Sequence, residues 1–209
     1  MRGARRSALG AGVVIAALYV QARGCYAGRP DVDPWPEERD ARTYAGPWPV
    51  VAHPPCASWG AYSKPTPDST ARGPLRGDDA GCFRAGLASV RQFGGVLEHP
   101  RYSHAWAAYR LHVPTIGGGW TRSMFRPREW TCEVDQGHYG HAARKPTWLL
   151  FVGDVEPPPL VWGESNPPPI GTGKRAGNLE SMGRRARAAT PPAFADLLVD
   201  LARLAVTPR

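Results

Sequence analysis

The sequence predicts an α/β protein with a Rossmann-like, mostly parallel sheet and flanking helices. Three observations carry this expectation. Short apolar runs at Val13 to Val20, Val50 to Ala52, Val96 to Leu97 and Trp148 to Val152 have the length and composition of buried strands. Cys82 to Phe93, between the second and third runs, sets Phe83, Leu87 and Val90 at i, i+4 and i+7, one face of a helix. Strand, helix, strand in that order makes a βαβ unit, whose two strands are parallel. The chain divides into an α/β domain over 1–153, a Pro- and Gly-rich insertion or reduced recognition segment over 154–189, and a C-terminal helix over 190–209 that packs back on the domain.

The first run has two readings. A basic start (Arg2, Arg5, Arg6) followed by apolar Ala8 to Val20 resembles a secretory signal, or it leads into the first strand of a sheet. The strand reading is favoured; the run is short for a membrane span, and Arg23 stands where lipoprotein cleavage wants a small residue. Gln21 to Pro30 is a loop whose Gly24 and Gly28 are too loosely spaced for a Gly-rich cradle. Asp33 can accept hydrogen bonds from a ribose, or serve as a turn residue before Pro34. Pro36 can start a short polar helix over Glu37 to Tyr44.

The run Val50 to Ala52 must stop at Pro54 and Pro55, which cannot donate to a sheet ladder. Cys56 then lies just past the C-terminal end of a strand, where open α/β sheets bind ligands. A thiol on a rigid loop there is a candidate nucleophile; a small buried hydrophobe is the other reading. Lys64 to Asp79, with Lys64, Arg72 and Arg76, is a mobile loop that can close over a substrate, or a surface excursion. Gly94 and Gly95 end the helix, and Glu98-His99-Pro100 cuts the next strand short, leaving Glu98 at the same sheet edge as Cys56. Further on come a short helix within Ser103 to Leu111, a loop through Gly117 to Gly119, a strand at Trp130 to Asp135 and a turn over Gln136 to His141. A strong strand at Thr147 to Gly153 follows, then a Pro- and Gly-rich stretch from Asp154 to Met182 that is expected to be extended or partly disordered. Thr190 caps the last helix and Pro191 and Pro192 open it; Phe194, Leu197, Leu198, Leu201 and Leu204 form its apolar stripe.

Composition bounds the function. The chain has 209 residues, enough for one substantial domain, and its net charge of +8 suits a polyanionic partner. Part of the excess sits in Lys174, Arg175, Arg184, Arg185 and Arg187. Cys25, Cys56, Cys82 and Cys132 lack the spacing of a zinc site, so no metal is expected. Their wide spacing points to a reducing, cytoplasmic compartment, although two disulfides are arithmetically possible in an exported protein. No membrane partner is expected, and the protein reads as a monomer.

Taken together, the candidate residues resemble the DNA (cytosine-5) methyltransferases, as a compact, divergent, phage-type member. Pro54-Pro55-Cys56-Ala57-Ser58-Trp59-Gly60 resembles the family's Pro-Pro-Cys-Gln nucleophile loop, and Val96-Leu97-Glu98-His99-Pro100 its strand ending in Glu-Asn-Val. Tyr139-Gly140-His141-Ala142-Ala143-Arg144-Lys145, running into Leu149 to Gly153, resembles the Tyr-Gly…Gln-x-Arg-x-Arg strand, and Thr190 to Ala195 the Val-Pro-Pro-x-Leu-Ala helix start. The resemblance implies a methyl transfer to cytosine C5 in DNA. Cys56 adds to C6, Glu98 holds the base edge, and Arg144 helps hold the base or the Cys loop. It further implies S-adenosylmethionine as donor, with Asp33 and Pro54 as its binding residues, and DNA as partner. Gln21 to Cys25 stands where the family has a Phe-x-Gly-x-Gly loop, and His99 replaces its Asn. A non-catalytic nucleic-acid-binding relative and an exported disulfide-containing protein remain the other readings.

Overall fold

The computed structural model describes residues 13–167 and 184–206. The basic start, Lys174 and Arg175 fall outside the described residues, as do most of the second triple-proline run and the side chains of Arg184 and Arg185.

Seven strands form one sheet: β1 (Ile15–Leu18), β2 (Val32–Trp35), β3 (Val50–Ala52), β4 (Gly95–Pro100), β5 (Thr121–Arg122), β6 (Glu129–Asp135) and β7 (Pro146–Val152). Their order is β2-β1-β3-β4-β7-β6-β5. β1 pairs in parallel with β2 and β3, and β3 with β4; β7 enters antiparallel between β4 and β6, and β5 closes the edge antiparallel to β6. The helices are α1 (Cys82–Phe93), α2 (His104–Ala108), α3 (Arg184–Ala188) and α4 (Pro192–Leu204). The fold is therefore an α/β fold with a mixed, mostly parallel sheet. The first apolar run supplies a strand: Ile15 to Leu18 is fully buried, with neighbours on both sides.

Side chains alternate across the sheet, and each face has its own core. Ala16, Leu18, Val50, Ala52, Leu97 and Leu150 point to one side, where Phe83, Leu87 and Val90 of α1 and Trp106 of α2 cover them. Ile15, Ala17, Val51, Val96, Leu149 and Phe151 point to the other, against Phe194, Leu198 and Leu201 of α4. Runs that are apolar at every position fit this two-sided burial. Gly95 lets β4 approach β3 closely, because a Cβ there would lie 2.0 Å from the Val50 carbonyl oxygen.

Three local expectations are corrected. β4 does not stop before Glu98 but continues to Pro100, because β7 pairs with it as far as Pro100↔Thr147. The polar helix after Pro36 is two 3-10 turns, Glu37–Arg39 and Ala41–Thr43, broken at Asp40, whose φ is 38° and whose carboxylate accepts from Arg42 N. Thr190 does not cap α4; Pro191 holds the N-cap position without a side-chain hydrogen bond. Asp31 to Trp35 also contributes an edge strand, where Pro34 is tolerated. The Lys64 to Asp79 excursion is held by backbone bonds, Lys64 N to Pro74 O at 2.8 Å and Gly77 N to Ser58 O at 3.0 Å among them.

Candidate active site at the carboxyl edge of the sheet

The strand order reverses between β1 and β3: the chain leaves β1 for β2 on one side and returns to β3 on the other. In open α/β sheets the crevice outside the carboxyl ends at such a point takes ligands. A cleft of about 640 Å³ lies there, lined by Tyr19, Val20 and Gln21 after β1, Pro36, Glu37 and Asp40 to Arg42 after β2, Pro55 after β3, and Ala80 and Cys82 at the start of α1. Tyr19 has a φ of 60°, and its hydroxyl is buried without a hydrogen-bond partner. Burial, followed by the charges of Cys82, Asp40 and Asp79, holds that hydroxyl far above the usual tyrosine range.

On the α4 side of the same edge lies a polar cluster. β3 pairs with β4 through Ala52↔Leu97, so the next residues, His53 and Glu98, face each other just beyond the ladder. His53 Nδ1 lies 2.9 Å from Glu98 Oε2, and His53 Nε2 lies 2.9 Å from the Tyr26 hydroxyl. Gln136, fully buried after β6, donates from Nε2 to Glu98 Oε1 at 3.2 Å and to Thr147 Oγ1 at 3.0 Å. Burial works against the Glu98 charge. The His53 hydrogen bond and the charges of His53, Lys145 and His99 offset it and hold the carboxyl below its ordinary range. Lys145 lies just before β7. Burial lowers its pKa, opposed by Glu98, Cys56 and Cys25, so all three act on this one ammonium. Its Nζ donates to Ala189 O at 2.9 Å.

Cys56 is exposed on the turn after Pro55. Buried His99 underpins that turn: its Nδ1 lies 2.7 Å from Ser103 Oγ, its ring stacks on Trp106, and it faces the backbone of Pro55 and Pro54. Burial pushes the imidazole down to about 4, so it is neutral at physiological pH. None of the four cysteines, all of them described, is in a disulfide.

The expected residues separate into those that converge and those that do not. Cys56 and Glu98 share the carboxyl edge, just beyond the β3–β4 ladder, and the charge of each bears on Lys145. Arg144 turns away and pairs with Glu164, because neighbouring residues of an extended chain point to opposite sides; Lys145 takes the inward position instead. Asp33 does not line the cleft. Its carboxylate accepts from Trp35 Nε1 at 2.9 Å and pairs with Arg39, and Glu37 and Asp40 are the acids at the cleft. Pro54 is buried, and its neighbour Pro55 lines the cleft. Sequence reasoning missed Tyr26, His53, Gln136 and Lys145. Only His53 had a local signal, as the residue continuing the β3 register opposite Glu98.

Among the described residues, no group of three or more His, Cys, Asp or Glu could hold a metal ion, and no helix is long and apolar enough to cross a membrane. No protein-family model matches the chain, and no curated protein matches it.

Proposed function

We propose that the protein transfers a methyl group from S-adenosylmethionine to C5 of cytosine in DNA, on a Rossmann-like fold with a reduced target-recognition region. The observation that carries the reading is that an exposed Cys56, on the turn after β3, and a buried Glu98, beside His53 at the end of the β3–β4 ladder, lie at the same carboxyl edge of the sheet, where the charge of Lys145 is felt by both. Cytosine C5 is a poor nucleophile until a thiolate adds at C6. A base presented to Cys56 must leave the helical stack, and the carboxylate must hold its N3 and N4 edge. Lys145 favours the thiolate form of Cys56 through its charge. The Pro54-Pro55 turn borders both halves of the site, since Pro55 lines the cleft and His53 meets Glu98.

The cleft residues fit a nucleoside donor. Glu37, the acidic residue just beyond β2, can accept from ribose hydroxyls, and the orphaned Tyr19 hydroxyl is a buried polar atom awaiting a partner. When bound, S-adenosylmethionine supplies an electrophilic methyl on a sulfonium. The same reading makes the protein a cytoplasmic monomer. The test is incubation with DNA and methyl-labelled S-adenosylmethionine, followed by nucleoside analysis. Labelled 5-methylcytosine from the wild type and none from Cys56→Ala support the reading. Absence of transfer, with DNA binding that falls steeply with salt and is indifferent to Cys56→Ser, would favour a non-catalytic nucleic-acid binder instead.

A further inference from the structure

The row Tyr26, His53, Glu98 is longer than base recognition requires. Holding a cytosine edge needs one carboxylate. Here that carboxylate is bonded to an imidazole, and the imidazole to a phenol, each at 2.9 Å. Tyr26 is 2% exposed, so the row is closed at its far end. The hydrogens are fixed by chemistry. An ionised Glu98 only accepts, so His53 Nδ1 donates. His53 Nε2 then accepts from the Tyr26 hydroxyl when the ring is neutral, and donates to the Tyr26 oxygen when it is an imidazolium. Both ring nitrogens of His53 keep a partner in either charge state, so the ring can change charge in place.

Thiolate addition at C6 drives electrons into the ring, and N3 must gain a proton. A carboxylate held ionised has none to give. We propose, on the basis of the methyl-transfer reading above, that His53 is the positioning residue that supplies Glu98 with this proton. The imidazolium passes its Nδ1 proton to the Glu98 carboxylate, and the carboxylic acid so formed donates it to N3 as the Cys56 sulfur–C6 bond forms. His53 ends neutral with its remaining proton on Nε2, still donating to the Tyr26 oxygen, and its bare Nδ1 faces Glu98, ready to take the proton back. When C5 later loses its hydrogen to water, the C–S electrons leave with the thiolate and the N3 proton returns along the same path. Gln136 keeps Glu98 in place throughout through its 3.2 Å bond to Oε1. The charged and titratable groups that face this row are Tyr26 and Cys25 from the β1–β2 turn, Cys56 beyond β3, Glu98 and His99 on β4, and Lys145 before β7, with Arg29 and Asp196 behind Tyr26.

The consequence is a pH dependence of transfer whose alkaline limb responds to replacement of His53, because the proton for N3 comes through that ring. The experiment measures methyl transfer from pH 5.5 to 9 for wild type, His53→Gln and Tyr26→Phe. Alongside it, the imidazole titration of His53 is followed by NMR in the unliganded wild type and Glu98→Gln. The expected result is a fall of about a hundredfold for His53→Gln near pH 7 with a displaced alkaline limb, a smaller displacement for Tyr26→Phe, and a His53 midpoint at least one pH unit lower in Glu98→Gln. A His53→Gln profile of unchanged shape and position overturns the proposal, as does a His53 midpoint indifferent to Glu98→Gln. If the wild type transfers nothing at any pH, the methyl-transfer reading fails and the proposal built on it falls too; the NMR arm then shows only whether the His53–Glu98 coupling exists.

Discussion

Replacing Glu98 by Gln changes one oxygen to an amide group and leaves the shape almost unchanged. In the wild type both carboxylate oxygens are used: Oε2 faces His53 Nδ1 at 2.9 Å and Oε1 accepts from Gln136 Nε2 at 3.2 Å. A glutamine can serve only one of these donors. If its oxygen takes the Gln136 donor, its NH2 faces His53 Nδ1, which can accept only once the ring proton moves to Nε2, and the buried Tyr26 O–H then loses its acceptor; if its oxygen faces His53, its NH2 meets the Gln136 NH2. A buried donor left unpaired costs about 1–3 kcal/mol, while removal of a buried charge offsets part of that loss. We therefore expect Glu98→Gln to be destabilised by about 1–3 kcal/mol at pH 7.5, which in a chain of this size lowers Tm by about 3–10 °C. The pH dependence has a definite sign. The Glu98 carboxyl is held below its ordinary range in the folded protein. Its contribution is present above the ordinary glutamate pKa and is lost as pH falls through the lower folded value. The gap between wild type and variant must therefore narrow on acidification below about pH 4.5. Urea unfolding at pH 7.5, 5.5 and 4 measures it. A variant as stable as wild type at pH 7.5, or a gap that widens on acidification, would refute the account of the Glu98 environment.

Three further outcomes follow from the same contacts. His99 is neutral because burial pushes it down to about 4; a histidine lowered in this way loses stability as pH falls from about 6.5 toward 4, by about 3 kcal/mol at most, and His99→Phe should flatten that slope in urea titrations. Asp135 accepts from the backbone N–H groups of Gly137 at 3.0 Å, Lys145 at 2.9 Å and Ser165 at 3.3 Å; Asp135→Ala should cost about 2–4 kcal/mol and weaken whatever depends on the placement of Lys145, read as a lower Tm together with a lower transfer rate. Phe194 is fully buried under the sheet, and Phe194→Ala should cost about 3–5 kcal/mol, a loss that denaturant unfolding would detect at once if present.

The parts of the molecule that could be read from sequence are those that follow from local chemistry. The apolar runs give β1, β3, β4 and β7, and the Phe83, Leu87, Val90 spacing with Gly94 gives α1 from Cys82 to Phe93. The Pro54-Pro55 stop places Cys56 just beyond a strand, and the structure exposes it there. What was not legible depends on pairings distant in sequence. β4 reaches Pro100 only because β7, starting at Pro146, comes alongside it. The short β2 and β5 carry Pro, charge and few apolar residues, and are strands only because the sheet has edges there to extend. The polar cluster gathers Tyr26, His53, Glu98, Gln136 and Lys145 from five segments, and no spacing within one segment announces it. The exchange of Arg144 for Lys145 is a one-residue matter. An extended chain alternates its sides, and which side faces the site is decided by the register of β7 against β6, Asp135↔Pro146.

The central claim is that Cys56 forms a bond with cytosine C6 while Glu98 holds the base. It is tested most directly by offering DNA in which the target carries 5-fluorocytosine, together with S-adenosylmethionine, and mapping the linked nucleotide by peptide mass spectrometry. Fluorine at C5 cannot leave as a proton, so the covalent species persists. The account predicts a DNA-linked peptide that contains Cys56, absent in Cys56→Ser and strongly reduced in Glu98→Gln. A linkage at Cys25 or Cys82 in place of Cys56, or no linkage under conditions in which the protein binds the DNA, would contradict it.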